Sequence, residues 1–274
     1  MNKENYFITQ FKSKYIGDDG AIIGKYIYSM DAFFEDIHFK QSWMSLSQIA
    51  QKSMLINISD AIVMNAKPKY ALLSVAIPKY FTLKQIKQLS KGFKKIAKQY
   101  NIEIIGGDTI SNDKLAISIT IISKSNNPIK RDGAKVGDLI CYTNSLGDVK
   151  QDLDRLLSGK KILKNSKFIK PILNPEFFYE LSSYINSALD ISDGLFFELK
   201  RLSEASKVGI KLLETIDTNI GCSGEEYEIL FSFRKDNLKT IKKIAKRYNI
   251  KLNVVATATK YKKFKHNCKE HHFE

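Results

Sequence analysis

The stretch Asn57-Ile-Ser-Asp-Ala-Ile-Val-Met-Asn-Ala-Lys-Pro68 ends a long segment of helical period, Ser47–Asn65, which begins with a serine suited to capping. One face of this helix carries residues at i, i+4, i+7 and i+11, namely Ser53, Asn57, Asp60 and Met64. A carboxylate and an amide on a face that is otherwise apolar are costly to bury unless a partner satisfies them. A bound divalent cation would satisfy them, so the stretch predicts a buried helix with Asp60 at a metal site.

Apolar runs rich in β-branched residues, each bounded by Gly, Pro, Asn or Asp, surround this helix. We predict strands at Ala21–Tyr28, Tyr70–Ile77, Ile102–Ile105, Ala116–Ser123 and Leu139–Thr143. A second helix is predicted over Leu83–Tyr100, where apolar residues recur every three or four positions. The first half of the chain is therefore mixed α/β.

A polar segment, Ser125–Lys130, interrupts the pattern near the middle of the chain and marks a candidate domain boundary. We place an N-terminal domain at residues 1–127 and a C-terminal domain at residues 128–274. The elements predicted in the second part are a helix at Gln151–Leu157, a strand at Ser187–Ile191, a helix at Gly194–Ser206, a strand at Glu228–Phe233, a helix at Asn237–Tyr248 and a strand at Lys251–Thr257. The sequence thus predicts two α/β domains.

The composition of the 274 residues, with 43% hydrophobic and 27% charged side chains, excludes a disordered or collagen-like chain. Lys and Arg number 44 against 29 Asp and Glu, a net charge of +15, so a nucleic-acid partner is one hypothesis. Only five of the basic residues are Arg, the side chain that pairs bidentately with phosphates and bases. The lysines are spread along the chain, so we expect no nucleic-acid partner.

The cysteines and the N-terminal residues indicate where in the cell the protein is located. Cys141, Cys222 and Cys268 form neither an even set nor a C-x-x-C pair, which is typical of free thiols in a reducing compartment. The N-terminus lacks an apolar signal core, and every apolar run is shorter than the ~18 residues of a membrane span. We therefore expect a cytoplasmic protein without a membrane partner.

Carboxylates cluster at the ends of the predicted strands and in adjacent turns, where α/β sheets place their ligands. These acidic segments are Gly17–Gly20, Ser29–Asp31, Ile58–Asp60, Gly106–Asp108, Asp190–Gly194 and Gly224–Glu228. Carboxylate and hydroxyl oxygens suit Mg²⁺, which commonly bridges carboxylates to phosphates. A charged C-terminal segment, His266–His272, could bind a softer metal, but we expect it to be a flexible tail.

The glycine motifs that usually cradle phosphates, G-x-x-x-x-G-K-[ST] and G-x-G-x-x-G, are absent from the sequence, as are protein-kinase signatures. A phosphate substrate would therefore be bound through carboxylates and metal. Taken in order, the acidic segments and their neighbours resemble the thiamine-monophosphate kinase family, in the superfamily of aminoimidazole ribonucleotide (AIR) synthetase. The similar segments are Ile16–Ala21, Ser29–Asp31, His38-Phe39, Asn57–Pro68, Ile105–Thr109, Arg131–Asp138, Ser145–Asp148, Asp190–Leu195 and Ser223–Leu230.

This resemblance implies two α/β domains, the first of which contributes its sheet to a homodimer barrel with the active site near the interface. It implies transfer of a phosphoryl group from ATP to thiamine monophosphate, directly and in line, with several Mg²⁺ ions. By resemblance, the positions of Mg²⁺ ligands are Asp19, Ser29, Met30, Asp31, Asp60, Asp108, Asp190 and Asp193. Positions in contact with ATP are Gly107, Asp108, Arg131 and Ser192, and positions in contact with thiamine phosphate are His38, Glu225 and Phe264, with Tyr261 as a substitute for Phe264.

The catalytic set implied by the resemblance is Asp31, Asp60, Asp108, Arg131 and Asp193. Three departures from the family pattern matter. Met30 replaces a hydroxyl residue, so only its backbone carbonyl could bind a metal, while Ser223 and Glu226 replace a Gly and an Asp in the substrate loop. An AIR synthetase-like enzyme and a lysine-rich nucleic-acid-binding protein remain the alternative hypotheses.

Overall fold

The computed structural model describes residues 3–269, which form two five-stranded sheets. After a short helix, α1 (Lys3–Thr9), the first sheet contains β1 (Ala21–Ile23), β2 (Tyr26–Phe34), β3 (Lys67–Pro78), β4 (Glu103–Asn112) and β5 (Ala116–Lys124). Their order is β1-β2-β5-β3-β4, with β3 parallel to β4 and the other pairs antiparallel. Helices α2 (Leu46–Val63) and α3 (Leu83–Gln99) follow β2 and β3 in the chain.

The second sheet is antiparallel and has the order β7-β9-β6-β10-β8. Its strands are β6 (Leu139–Thr143), β7 (Ser187–Asp190), β8 (Gly209–Leu212), β9 (Ile229–Phe233) and β10 (Leu252–Thr259). The helices of this part are α4 (Asp148–Leu157), α5 (Pro175–Leu181), α6 (Leu195–Ser206), α7 (Thr218–Gly221) and α8 (Leu238–Arg247). The expected mixed α/β class is confirmed, with one sheet in each half of the chain. The boundary at residues 127 and 128 stays a prediction.

Helix α2 lies at the centre of the molecule. It begins at a capping box, in which Ser45 and Gln48 satisfy each other's backbone amides, and it is buried along almost its whole length. The same apolar core extends from the first sheet through α2 to α5 and β9. On the side of α3, a Cβ at Gly92 would lie 2.4 Å from the carbonyl oxygen of Ser47, so glycine permits the close approach of the two helices. Side chains of α2 can therefore reach both halves of the protein.

Several predicted bounds differ from the structure. The predicted strand Ala21–Tyr28 is a hairpin of β1 and β2, divided at Gly24, whose φ of 61° suits glycine. The predicted Ile102–Ile105 strand continues to Asn112, because β4 pairs with β3 along that length. The sequence patterns did not predict α1, α5, α7 or β8, which are all seven residues long or shorter. Short elements carry too few residues for a periodic pattern to be distinctive.

The expectation of three free cysteines is wrong. Cys222 and Cys268 form a disulfide, with Cα atoms 5.5 Å apart, while Cys141 is free and buried. The bond forms because the chain turns back after β10 and packs on α6, where the ring of His266 lies 4.4 Å from that of Phe197. The expectation of a flexible tail is therefore wrong up to residue 269; His271 and His272 lie outside the described residues. Within residues 3–269, no helix combines the length and the apolar character that a membrane crossing requires.

The two faces of the first sheet differ in their surroundings. One face carries buried apolar side chains such as Ile117, Ile119 and Ile121 of β5, which belong to the core shared with α2. Large apolar side chains of this sheet are exposed to solvent, namely Ile23, Tyr26, Met30, Tyr70, Leu72, Ile105 and Ile110. The edge strand β4 is exposed along most of its length. An apolar surface of this kind is typical of an interface with another protein chain.

Candidate active site

Three aspartates from distant parts of the chain meet beside α2. Asp19 precedes β1, Asp60 lies on α2 and Asp190 ends β7, and each offers a carboxylate oxygen within 4.8 Å of the others. Asp31 of β2 joins them, since it lies close enough to Asp60 for its charge to raise the pKa of that carboxyl group. The structure thus brings together four of the predicted metal ligands.

Burial and mutual repulsion raise the pKa of the carboxyl groups in this cluster. Burial, reinforced by the charge of Asp19, raises the pKa of Asp31 to about 6. Burial also raises the pKa of Asp60 and Asp190 well above its usual value, and neighbouring aspartates add to both shifts. For Asp19, burial again raises the pKa, while Arg131 opposes the shift. Positive charge close to these carboxylates would therefore stabilise their ionised form.

The donor set fits a divalent cation such as Mg²⁺. The Oδ2 atoms of Asp19 and Asp190 are buried and accept no hydrogen bond from the described residues. Buried oxygens without a partner are rare in folded proteins and demand an explanation. Hard carboxylate oxygens are the protein ligands that Mg²⁺ prefers. Asp19, Asp60 and Asp190 are therefore the residues that could hold a divalent cation, with Asp31 beside them.

Two arginines neutralise the rim of the cluster. Arg131 forms ion pairs with Asp19 and with Asp18, whose Oδ1 lies 3.6 Å from the arginine Nε. Arg201 of α6 pairs with Asp193 at 2.5 Å and with Glu198 at 2.6 Å. These side chains place the predicted residues Arg131 and Asp193 at the cluster edge. Arg131 would have to release a carboxylate in order to bind a phosphate, and Asp193 would have to release Arg201 in order to bind a metal ion.

Asp18 belongs to the acidic segment Gly17–Gly20, but the sequence patterns predicted no role for it, for Glu198 or for Arg201. Burial and the charge of Asp19 raise the pKa of Asp18 to about 6, and burial raises the pKa of Glu198 to about 7 even though Arg201 lowers it. Arg201 is one of only five arginines, and it lies at i+3 from Glu198. An arginine one helical turn after a glutamate, in a chain otherwise dominated by lysine, was the signal that could have identified this pair.

Polar side chains around the cluster fix its backbone. The side chain of Asn57 accepts a hydrogen bond from the backbone amide of Asp31 at 2.9 Å, and Ser59 forms a side-chain hydrogen bond with Asp190. The hydroxyl of Ser29 donates to the carbonyl oxygen of Asn57 at 3.4 Å. Met30 is 65% exposed, so its side chain is not among those buried beside the cluster. Metal roles for Ser29 and Met30 stay predictions.

Gly107 and Asp108 lie apart from the cluster within one chain. The registers pair Asp31 with Ile119, Ile119 with Leu73, and Leu73 with Gly107. Three strand spacings therefore separate Asp31 from Gly107, roughly 14 Å. A Cβ at Gly107 would lie 1.7 Å from the carbonyl oxygen of Leu73, so only glycine fits there. Both residues stand on the exposed edge strand, and their roles stay predictions.

The predicted substrate residues His38 and Glu225 are connected by a series of contacts through Phe33 and Lys52. The ring of His38 is 5.6 Å from that of Phe33, and its Nδ1 accepts a hydrogen bond from the amide of Phe34 at 3.0 Å. On the other side, Lys52 Nζ lies 5.7 Å from the Phe33 ring and 2.7 Å from Glu225 Oε2. Lys52 was not predicted from the sequence, although a lysine inside an apolar helical pattern is the same kind of signal as Asp60.

The loop that carries Glu225 is anchored both to the turn beside the aspartate cluster and to the elements of the second sheet. The amide of Glu225 donates to the carbonyl oxygen of Ser192 at 2.6 Å, which ties it to the Asp190–Asp193 turn. Glu226, the departure from the family pattern, is buried and accepts from the amide of Gly147 at 2.6 Å. Lys167 pairs with both Glu226 and Glu228 at 2.8 Å. Glu226 therefore has a structural role in this loop.

Phe264 packs against Phe196 at a ring distance of 6.3 Å, on the core of the second sheet, and Tyr261 is exposed. The role of Phe264 in substrate stacking stays a prediction.

These features define a class: two-sheet α/β proteins with an aspartate cluster where the two halves meet. The model of the AIR synthase related protein family, N-terminal domain, matches residues 17–124. The chain is 33% identical to the thiamine-monophosphate kinase of Buchnera aphidicola subsp. Schizaphis graminum, over 91% of this chain and 86% of that protein. It is 34% identical to the Bacillus subtilis enzyme of that name, over 73% of this chain and 67% of that protein.

Solved structures show the same fold. AaThiL complexed with AMPPCP and TMP has a TM-score of 0.83 at 22% identity, covering 95% of this chain and 90% of that one. Hydrogenase maturation protein HypE has a TM-score of 0.71 at 14% identity, covering 95% of this chain and 89% of that one. From the sequence identity to its relatives, the chain belongs to the thiamine-monophosphate kinase family.

Proposed function

We propose that the protein transfers the γ-phosphoryl group of ATP to thiamine monophosphate, forming thiamine diphosphate and ADP, with several Mg²⁺ ions. The observation that carries this proposal is the pair of buried, unpartnered carboxylate oxygens of Asp19 and Asp190 beside Asp60, in a chain of this family. ATP and a phosphate monoester bring roughly six negative charges, which carboxylates would repel without cations between them. Family membership supports ATP and thiamine monophosphate as the substrates, and the aspartate cluster supports a role for Mg²⁺.

The residues present suggest how transfer would occur. Mg²⁺ held by Asp19, Asp60 and Asp190 would neutralise the phosphate oxygens between which the phosphoryl group moves. Arg131 would exchange its carboxylate partners for a phosphate oxygen and stabilise charge there. The attacking phosphate of thiamine monophosphate is already ionised, so no side chain has to act as a general base. We propose direct, in-line transfer without a phosphoenzyme, in which positioning and charge supply most of the catalysis.

A cavity next to Arg131 supports a nucleotide site. Its volume is about 440 Å³, within the range of small-molecule pockets, and Gly17, Asp18 and Arg131 line it together with Lys14 and Lys130. The three basic residues of this lining outnumber its two carboxylates, Asp18 and Asp132, by one, and the phosphates of ATP would replace these carboxylates as partners of Arg131 and Lys130. Its contact with Asp18 and Arg131 connects the cavity to the aspartate cluster. We propose that ATP occupies it.

We propose a homodimer in which a second copy covers the exposed apolar face and edge of the first sheet. The exposed side chains of Met30, Tyr70 and Ile105 support this proposal, since water-exposed apolar surface is costly. The predicted ATP positions Gly107 and Asp108 stand on the same exposed strand, β4. A dimer would therefore enclose residues that an isolated chain leaves in solvent.

We propose that the reaction takes place in the cytoplasm, where ATP is available.

The test is to incubate the purified full-length protein with ATP, Mg²⁺ and thiamine monophosphate and to follow the products by chromatography. We expect thiamine diphosphate and ADP in equal amounts, and neither product when EDTA is added. Unphosphorylated thiamine serves as the control acceptor, which should yield no thiamine monophosphate. Absence of thiamine diphosphate from a folded, metal-supplied protein would refute the proposed function.

A further inference from the structure

Lys52 is an unusual lysine, because its side chain is 0% exposed. Its Nζ lies 4.2 Å from the centre of the Phe168 ring and 5.7 Å from that of Phe33. Burying an ammonium group is costly unless a counter-charge and hydrogen bonds compensate it. The compensating group is Glu225, whose Oε2 accepts from Nζ at 2.7 Å. Helix α2 thus supplies a fixed, buried cation to a single carboxylate.

Glu225 is held at both its backbone and its side chain. Its φ of 56° lies in the left-handed region, which is unfavourable for a glutamate, and its amide donates to the carbonyl oxygen of Ser192. Lys52 occupies Oε2, yet 26% of the Glu225 side chain is exposed. Oε1 is therefore the oxygen left to accept a hydrogen bond from a ligand. Local backbone strain of this kind persists only where surrounding contacts enforce it.

The spacing along α2 connects this pair to the metal cluster. Lys52 and Ser59 are seven residues apart, which places them on the same helix face about 10 Å apart along the axis. The Ser59 side chain lies beside Asp190 of the cluster, whereas Lys52 pairs with Glu225. Thiamine monophosphate carries its phosphate at one end and its aminopyrimidine at the other. With the phosphate at the aspartate cluster, the same face of α2 would reach the aminopyrimidine end through Lys52 and Glu225.

We propose that Lys52 is a positioning residue for substrate selection: it fixes Oε2 of Glu225, so that Oε1 accepts one N–H from the aminopyrimidine of thiamine monophosphate. This inference rests on the proposed function. Without Lys52, the Glu225 carboxylate is free to rotate and to take up water, so binding of the amine loses its directional preference. The phosphate end, which Arg131 and cations held by the aspartates would neutralise, is unaffected by that loss.

The test replaces Lys52 with Met, which keeps the length of the side chain among the Phe33 and Phe168 rings and removes the charge. We expect Lys52→Met to raise the KM for thiamine monophosphate at least tenfold, while kcat and the KM for ATP stay within twofold. Lys52→Arg should recover part of the loss. Lys94→Met, at an exposed position of α3, is the matched control and should leave both KM values unchanged.

An analogue makes the test specific to the amine. Oxythiamine monophosphate has an oxygen in place of the pyrimidine amino group. The wild type should therefore have a higher kcat/KM for thiamine monophosphate than for oxythiamine monophosphate. Lys52→Met should lower the ratio of these two kcat/KM values. A purely structural lysine would lower the melting temperature and leave the KM and the ratio unchanged, which would overturn the proposal. If Lys52→Met does not fold, Glu225→Gln and Lys52→Arg must raise the same KM and narrow the same ratio, or the proposal fails.

The two proposals fail in different ways. A wild-type protein that forms no thiamine diphosphate refutes the proposed function, and calorimetric binding of thiamine and oxythiamine monophosphates to wild type and Lys52→Met then tests the role of Lys52. A wild-type protein that turns over thiamine monophosphate, together with a Lys52→Met variant of unchanged KM and ratio, refutes only the role of Lys52.

Discussion

Asp60 of α2 and Asp190 at the end of β7 bring carboxylate oxygens within 4.8 Å of each other, although one lies in the first half of the chain and the other in the second. Helix α2 makes this possible, because it is buried between the first sheet and the elements of the second half. The acid cluster therefore exists only when the two halves are packed together. Its properties are open to direct tests.

The first prediction concerns charge within the cluster. Asp60→Asn keeps the shape of the side chain and removes one ligand charge, so we expect kcat to fall at least about 100-fold through weaker metal binding. The melting temperature without metal should stay equal or rise, because repulsion with Asp31 and Asp190 decreases. Steady-state kinetics over a series of Mg²⁺ concentrations and thermal unfolding measure the two effects.

Asp31→Asn should behave in the same way, and Asp113→Asn, at an exposed position in the turn between β4 and β5, is the control. Near-normal turnover of either cluster variant at saturating Mg²⁺ would contradict the assignment of these residues.

The second prediction concerns pH. Burial and the Asp19 charge raise the pKa of Asp31 from 3.8 to about 6, so the native state binds more protons than the unfolded state between these values. This contribution to the free energy of unfolding is fully present below about pH 4 and is lost as the pH rises through about 6. A cation that replaces the proton should therefore stabilise the protein more at about pH 8 than at about pH 5.

Melting temperatures with and without millimolar Mg²⁺, measured at both pH values in the same salt, check this prediction. A Mg²⁺-induced shift that is equal at both pH values, or larger in acid, would show that the buried aspartates do not bind the cation.

The third prediction concerns the anchoring of the substrate loop. Lys167→Met leaves Glu226 and Glu228 without their shared cation in a buried site, so we expect the free energy of unfolding to fall by about 3 kcal/mol. Urea denaturation measures this loss. Lys150→Met, which removes a surface pair with Asp154, should cost less than about 0.5 kcal/mol. Equal losses in the two variants would mean that Lys167 does not stabilise the loop.

The fourth prediction concerns the cysteines. Protein purified without reductant should show one reactive thiol after denaturation, Cys141, and three after reduction. In the native protein Cys141 should not react, because burial raises the pKa of its thiol to about 12. Cys268→Ser opens a loop of 46 residues and should lower stability by up to about 4 kcal/mol. Three reactive thiols in denatured, unreduced protein would rule out the bond.

Sequence patterns predicted the parts of this site that break a local rule. Asp60 stood out because a charge lay on an apolar helix face, and Asp19, Asp31 and Asp190 stood out as acids at strand ends or in adjacent turns in a lysine-rich chain. Long elements such as α2, α3 and β5 were predicted within a few residues, because their apolar periods are sustained. The predicted and observed bounds agree where a single helix or strand carries the whole periodic pattern.

The sequence patterns did not predict contacts between residues that lie far apart in the chain. The Cys222–Cys268 bond depends on the path of the chain after β10, and the Lys52–Glu225 pair joins residues 173 positions apart. The distance of Gly107 from Asp31 follows from the strand order β2-β5-β3-β4, which sequential reading of the chain does not reveal. Such features depend on topology and not on local composition.

The most direct test of the central claim is an anomalous difference map from crystals of the protein grown with Mn²⁺, a non-hydrolysable ATP analogue and thiamine monophosphate. We predict Mn²⁺ peaks at about 2.2 Å from carboxylate oxygens of Asp19, Asp60 and Asp190, between these residues and the phosphates. Nucleotide and thiamine monophosphate bound without any Mn²⁺ peak at this cluster would contradict the claim.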